Sequence, residues 1–417
     1  MQSPAYLSVR LPTGVLHVDV DASAGDDFRL EDLCGFGARN NPKRGFLFLS
    51  KVLGKHWPSP VASMSRLHNE LANRVAQLVP AGEDALFVGM AETATGLGQG
   101  VFESYVRRGQ GPGVYAQTTR YTLADACPLP FDEAHSHATR QFLYLPEASN
   151  LRDRVCSART VVICDDEAST GRTFAELVRA LRVVNPHLCR VVLVLITDFS
   201  GGQAEQRVRD LSGIGQVHTV SVLRGTYDFE WAGGLDLPAP PPAFGEAGCR
   251  RAYQSAFSGR LGLDAPIHLP LEAVQSCVAL RARGPALVVG IGEFMHPAFC
   301  LARELAAYGH AQSPAVYVQS TSRSPILRAA DVRHVLPVTD PYGEGIPNYL
   351  YNYRREWYAQ VYVVHETHAD GPVQEALRQI GGATGCVEIN LRDAVVREHQ
   401  SHTRRPVARA LQERGFA

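Results

Sequence analysis

Thr160-Val161-Val162-Ile163-Cys164-Asp165-Asp166-Glu167-Ala168-Ser169-Thr170-Gly171-Arg172-Thr173 is the stretch on which the fold turns. Its apolar, largely β-branched start has the pattern of a strand buried on both faces. The run ends in two adjacent carboxylates, Asp165 and Asp166, followed by small and hydroxylic residues closing on Gly171. Phe174, Leu177, Val178 and Leu181 then recur at three- and four-residue spacing, which predicts a helix. Strand, acid pair, small-residue turn and helix together place a ligand at the carboxyl end of a strand in an open α/β sheet.

The chemistry follows from that order. N–H groups opening a helix lack intrahelical partners, and the dipole there favours negative charge. Glu167, Ala168, Ser169, Thr170, Gly171, Arg172 and Thr173 therefore form a candidate phosphate turn, with the hydroxyls as further donors. Asp165 and Asp166 would repel a phosphate if both faced it. They suit vicinal hydroxyls or a hydrated Mg²⁺ beside it. A sugar phosphate meets both demands. An Asp-rich turn that merely caps a helix needs one acid, not this array.

These residues resemble the phosphoribosyl-pyrophosphate (PRPP) motif of type I phosphoribosyltransferases. In that family the acids hold the ribose hydroxyls and the turn wraps the 5-phosphate. The resemblance implies an α/β fold with a parallel sheet and a hood. It also implies Mg²⁺-dependent transfer of a 5-phosphoribosyl group from PRPP to a nitrogenous base, with release of pyrophosphate. Asp165 and Asp166, with Mg²⁺ and PRPP, become the expected catalytic and metal-associated pair.

Composition is compatible with such an enzyme. The 417 residues are 45% hydrophobic and 20% charged, an ordinary globular balance with length for roughly two or three domains. Lys and Arg total 41 against 42 Asp and Glu, so no global field draws nucleic acid or an anionic membrane. No apolar stretch is long enough to span a bilayer, and the start does not read as a signal peptide. Nine scattered cysteines without a C-x-x-C pair read as reduced thiols of a cytoplasmic protein.

Working outward, residues 7–20 predict two short strands joined at Pro12-Thr13-Gly14. Residues 35–56 place Arg39, Lys43, Arg44 and Lys55 around a Phe-rich strand. The layout is similar to the hood of orotate phosphoribosyltransferases, which implies that these four help bind the base; a solvated basic loop is the plainer reading. Ala85–Val88 is a buried strand running into Glu92, Thr93, Ala94, Thr95 and Gly96, whose backbone N–H groups suit an anion. The resemblance makes this the pyrophosphate loop. A turn that needs glycine for backbone reasons alone would look the same.

Val114–Gln117 is the next strand, and Arg120 just beyond it is a candidate to hold leaving pyrophosphate. The long stretch Tyr121–Ala138 reads as a loop. In the resemblance it is the mobile loop that closes over PRPP, with Glu133, His135 and His137 as acid–base or metal candidates. Each histidine is equally read as a solvent-facing loop residue. Aromatics in Gly225–Trp231 suit either base stacking or packing beneath the hood.

Residues 1–236 thus form the expected transferase domain, residues 237–248 a Pro-rich linker, and residues 249–417 a second domain. The second domain repeats the first at an interval of roughly 200 residues. Ala286–Glu293 parallels Ala85–Glu92, Val316–Thr321 parallels Val114–Thr119, and Val361–Glu366 parallels Val161–Asp166. The acid pair has become His365-Glu366, and the phosphate turn now carries Asp370 and Pro372, so no PRPP binding is expected there.

An orotate-phosphoribosyltransferase-like domain followed by a domain with a Thr-Arg-Ser-Pro-like motif, here Thr321-Ser322-Arg323-Ser324-Pro325, resembles the enzymes of bacterial tellurium-resistance stress gene clusters. That implies synthesis of a nucleotide-like metabolite. Related enzymes often pair, which implies a homodimer unless the second domain takes the partner's place. A non-catalytic PRPP- or nucleotide-binding sensor is the alternative the fold also permits.

Overall fold

The computed structural model describes residues 5–21, 28–41, 44–124, 126–132, 140–233, 256–308, 315–368 and 370–399. In the N-terminal half the strands are β1 (Ala5–Leu11), β2 (Gly14–Val20), β3 (Cys34–Ala38), β4 (Phe46–Ser50), β5 (Ser59–Pro60) and β6 (Ala85–Gly89). They continue as β7 (Gly113–Thr119), β8 (Cys127–Asp132), β9 (Arg140–Leu145), β10 (Thr160–Ala168), β11 (Arg190–Asp198) and β12 (Gln216–Trp231). One sheet runs β1-β2-β12-β11-β10-β6-β7-β9-β8. Its centre, from β12 to β7, is parallel. Helices cover that centre, so Val161, Val162, Ile163 and Val191–Ile196 lose all solvent contact. On the helix Arg172–Val184, the stripe of Phe174, Leu177, Val178 and Leu181 is buried as its spacing requires.

The β1–β2 hairpin extends this sheet through β12. The hood is the separate hairpin β3–β4. Phe46 and Phe48 of the hood pack on Tyr227 and Phe229 at ring separations of 5.0–5.9 Å, so those aromatics are packing residues. The stretch expected as one long loop after Arg120 is partly a hairpin: β8 pairs with β9. Alternating apolar residues around Pro128 and Pro130 sit on an edge strand, where proline is tolerated. Glu133, His135 and His137 lie outside the described residues, as does Lys43.

The C-terminal half contributes β13 (Ala286–Gly290), β14 (Val316–Ser320), β15 (Val335–Val338), β16 (Asn348–Tyr351), β17 (Gln360–His365), β18 (Cys386–Asn390) and β19 (Val395–His399). Its main sheet runs β19-β18-β17-β13-β14-β5. The parallel core β18-β17-β13-β14 has the same order as β11-β10-β6-β7. This shared order is what the duplication expected from sequence requires. Register refines one match: Leu86 pairs with Val114, but Leu287 pairs with Tyr317, one residue beyond the sequence correspondence.

The halves are packed together. Strand β5 belongs to the N-terminal half in sequence but pairs with β14 of the second sheet. Helix Thr95–Arg107 lies against helix Met295–Ala307, and a Cβ on Gly96 would stand 2.8 Å from the Cβ of Met295. At this seam Glu103 meets His296 at 2.7 Å and both Arg107 and Arg303 at 2.7 Å. Among the described residues, no helix is long and apolar enough to cross a membrane.

Candidate active site

Strand β10 delivers Asp165 and Asp166 to the carboxyl edge of the first sheet, and the turn after it opens the helix Arg172–Val184. Gly171 takes φ 71°, a left-handed conformation, and a Cβ there would lie 2.5 Å from the Cα of Ala204. Only glycine fits such a turn without strain. A cavity of about 210 Å³ lies over this edge. Asp165, Asp166 and Glu167–Thr173 line one side, Met90–Thr93 and Arg120 another, and Arg39, Arg44 and His56 a third.

Its electrostatics are mixed. Glu167 is bound by Arg44, whose guanidinium also lies 4.8 Å over the Phe46 ring. Burial, then the adjacent Glu167 charge, pushes the Asp166 carboxyl up to about 7. The Asp165 carboxylate accepts the Asp166 N–H at 3.0 Å. The helix mouth opens on the cavity beside both aspartates. Burial would raise the Glu92 carboxyl, but the charges of Lys55 and Arg323 hold it below the usual range. Burial pushes the His56 ring down to about 3, so it is neutral at physiological pH.

An acid pair at a strand end, a helix-mouth phosphate turn and a second anion-friendly loop meeting on one cavity point to a family, and the family is found by comparison. Residues 33–226 match the family described as "Phosphoribosyl transferase", and residues 258–380 match "TRSP domain C terminus to PRTase_2". The two matches, in this order, give the chain a phosphoribosyltransferase domain followed by a TRSP domain. No curated protein matches the transferase. Solved structures similar to it include the adenine phosphoribosyltransferase of Giardia lamblia, 16% identical, covering 47% of this chain and 95% of that one, with a TM-score of 0.32. The Trypanosoma brucei adenine enzyme is 13% identical, covering 53% and 87%, with a TM-score of 0.34. The Mycobacterium tuberculosis orotate enzyme is 13% identical, covering 46% and 90%, with a TM-score of 0.27.

Several expected site residues of the transferase sit elsewhere. Lys55 does not line the cavity: its ammonium is 2.7 Å from Glu92 and donates to the carbonyls of Thr321 and Gly292 at 2.7 and 3.1 Å. A base-binding role is therefore replaced by a buried cross-tie between the halves. Of the expected pyrophosphate-loop residues Glu92–Gly96, only Glu92 and Thr93 border the cavity. Thr95 is buried, with its hydroxyl 3.2 Å from the Glu293 carbonyl, and Gly96 packs on Met295; both serve the seam. Ala94 is fully buried. Arg39, Arg44 and Arg120 do border the cavity.

The sequence reading missed His56, Gln141 and the segment Ser322–Pro325 as lining residues. That segment stands out as a polar loop but belongs, by chain position, to the other half. The second half's own mouth is filled. Arg260 pairs with both Glu293 and Glu366, and Tyr342 donates to Glu366 at 3.2 Å. Tyr121, from the first half, lies under the guanidinium of Arg260 at 5.2 Å. His365 is enclosed between Thr367 and Glu388 at 3.0 Å each, and Asp370 caps the following helix at Val373.

Proposed function

We propose that the protein transfers a 5-phosphoribosyl group from PRPP to a nitrogen of a base or base-like acceptor and releases pyrophosphate. The observation that carries this reading is the convergence of Asp165–Asp166, the Ser169–Thr173 mouth and the Glu92–Thr93 loop with Arg120 on one cavity. Asp165 and Asp166 orient the ribose hydroxyls and stabilise positive charge growing at the anomeric carbon. The helix mouth grips the 5-phosphate. Arg120 and the Glu92–Thr93 turn hold pyrophosphate, and the wall of Phe48, His56 and Arg39 receives the acceptor.

Mg²⁺ fits this site on the chemistry of its donors: Asp165 and Asp166 bring adjacent carboxylates to the cavity, and burial first and the Glu167 charge second push the Asp166 carboxyl up to about 7, a cost that a nearby cation would offset. Mg²⁺ would neutralise charge on the diphosphate as it leaves, with Asp165 and Asp166 holding it through the sugar hydroxyls. The reading extends to a nucleotide-like stress metabolite of the tellurium-resistance type, made in the cytoplasm. It divides the chain as residues 1–236, 237–248 and 249–417. Because the second half already contributes Ser322–Pro325 to the cavity wall, the reading needs no second copy, although a homodimer is compatible with it.

The test is Asp165→Asn with Asp166→Asn. Pyrophosphate release from PRPP and a panel of bases is expected to fall by about 100-fold or more, with unchanged circular dichroism. Unchanged turnover would remove the assignment.

A further inference from the structure

Arg323 sits in the loop after β14, in the C-terminal half, yet borders the cavity of the N-terminal one. Its side chain is 7% exposed. Its backbone N–H and Nε donate to Glu92 at 3.2 and 3.0 Å, Nη1 reaches Glu344 at 3.5 Å, and the guanidinium lies 4.8 Å over Tyr121. Among the described residues Nη2 has no hydrogen-bond partner. A buried guanidinium N–H left unpaired is costly, so a native fold keeps one where something else satisfies it.

We propose that the C-terminal domain supplies a diphosphate-binding arginine to the transferase cleft, with Arg323 Nη2 donating to the pyrophosphate end of PRPP. This rests on the transferase reading above. Three features support it. Arg323 is fixed to Glu92, the residue that begins the cavity's side of the pyrophosphate loop, so its position is set relative to that loop. Glu92 is held by Lys55 as well as by Arg323, and Glu344 holds a second edge of the guanidinium, so the arginine is locked in place at the cavity wall. Arg120 borders the same cavity, and two planar donors suit the oxygens of a diphosphate. The second half has filled its own mouth with Arg260, Tyr342 and Tyr121, so the cavity it still borders is the first one.

Calorimetry on the full chain tests this, with inorganic pyrophosphate and ribose 5-phosphate as separate probes. The wild type is expected to bind both. Arg323→Lys keeps a charge without the fork, and Arg323→Gln removes the charge. Both are expected to weaken pyrophosphate by about tenfold or more and ribose 5-phosphate by less than about twofold. If Arg323→Gln does not fold, Arg323→Lys decides. A wild type that binds neither probe overturns the transferase reading, and this proposal with it. A wild type that binds both, with variants that retain pyrophosphate affinity or lose both probes equally, overturns this proposal alone.

Discussion

Raising the pH removes a proton from the seam between the halves and should weaken it. The group is His296, 1% exposed, with Nε2 2.7 Å from Glu103. Burial opposes its charged form, but Cys300 and Glu103 outweigh burial and push the ring from 6.5 to about 9. The other groups facing this cluster are Arg107 on its own side of Glu103, Arg303 on the helix of His296, and His68 from the helix Val61–Ala76. His68 stays neutral, pushed down to about 3 by burial first and the His296 charge second. A folded-state value raised above the unfolded one stabilises fully below pH 6.5. That contribution fades as pH rises and is gone above about 9. The shift corresponds to about 3 kcal/mol. Equilibrium urea unfolding of wild type and His296→Asn, at about pH 6 and about pH 9.5, isolates it, since other titrating groups are common to both. The stability gap should shrink by about 3 kcal/mol between the two conditions. An equal gap at both pH values would refute the reasoning.

Gly171→Ala forces a Cβ into a left-handed residue and against the Ala204 backbone at 2.5 Å. It should cost about 2–4 kcal/mol by denaturant titration and abolish ribose 5-phosphate binding. Lys55→Met strips one cation from buried Glu92 and two donors from the Thr321 and Gly292 carbonyls; a loss of about 3–5 kcal/mol is expected, read as a lowered urea midpoint. Asp340→Ala removes the acceptor of the Tyr342 and Glu344 N–H groups at 2.9 and 2.6 Å. A loss of about 1–3 kcal/mol should appear as a lower Tm, and an unchanged Tm would mean that water satisfies the turn.

How much was legible beforehand depended on how local the signal was. The strand–acid–turn–helix of residues 160–184 is contiguous, and its periodicity, acid pair and turn glycine each act within a few residues. The repeat was legible for the same reason, because each of its three matches is a strand and its end. The hood strand read correctly, since Phe46 and Phe48 advertise a buried face. Misreadings came where one residue type serves two ends. Lys55 in a basic loop looks like a ligand-binding cation until Glu92 and two carbonyls are found around it. Gly96 looks like an anion turn until the Met295 side chain is found against it.

The amino-acid sequence by itself determined the α/β architecture and the edge of the first sheet over which the cavity lies, because buried strands and helix mouths are written in short-range patterns. Tertiary structure alone decided which half owns which residue. Arg323 reaches Glu92 across 231 positions of chain, β5 joins the opposite sheet, and Tyr121 fills the other half's mouth. Such pairings arise when two large surfaces dock and each buried charge must find a partner, and no local pattern along the chain encodes which partner that is.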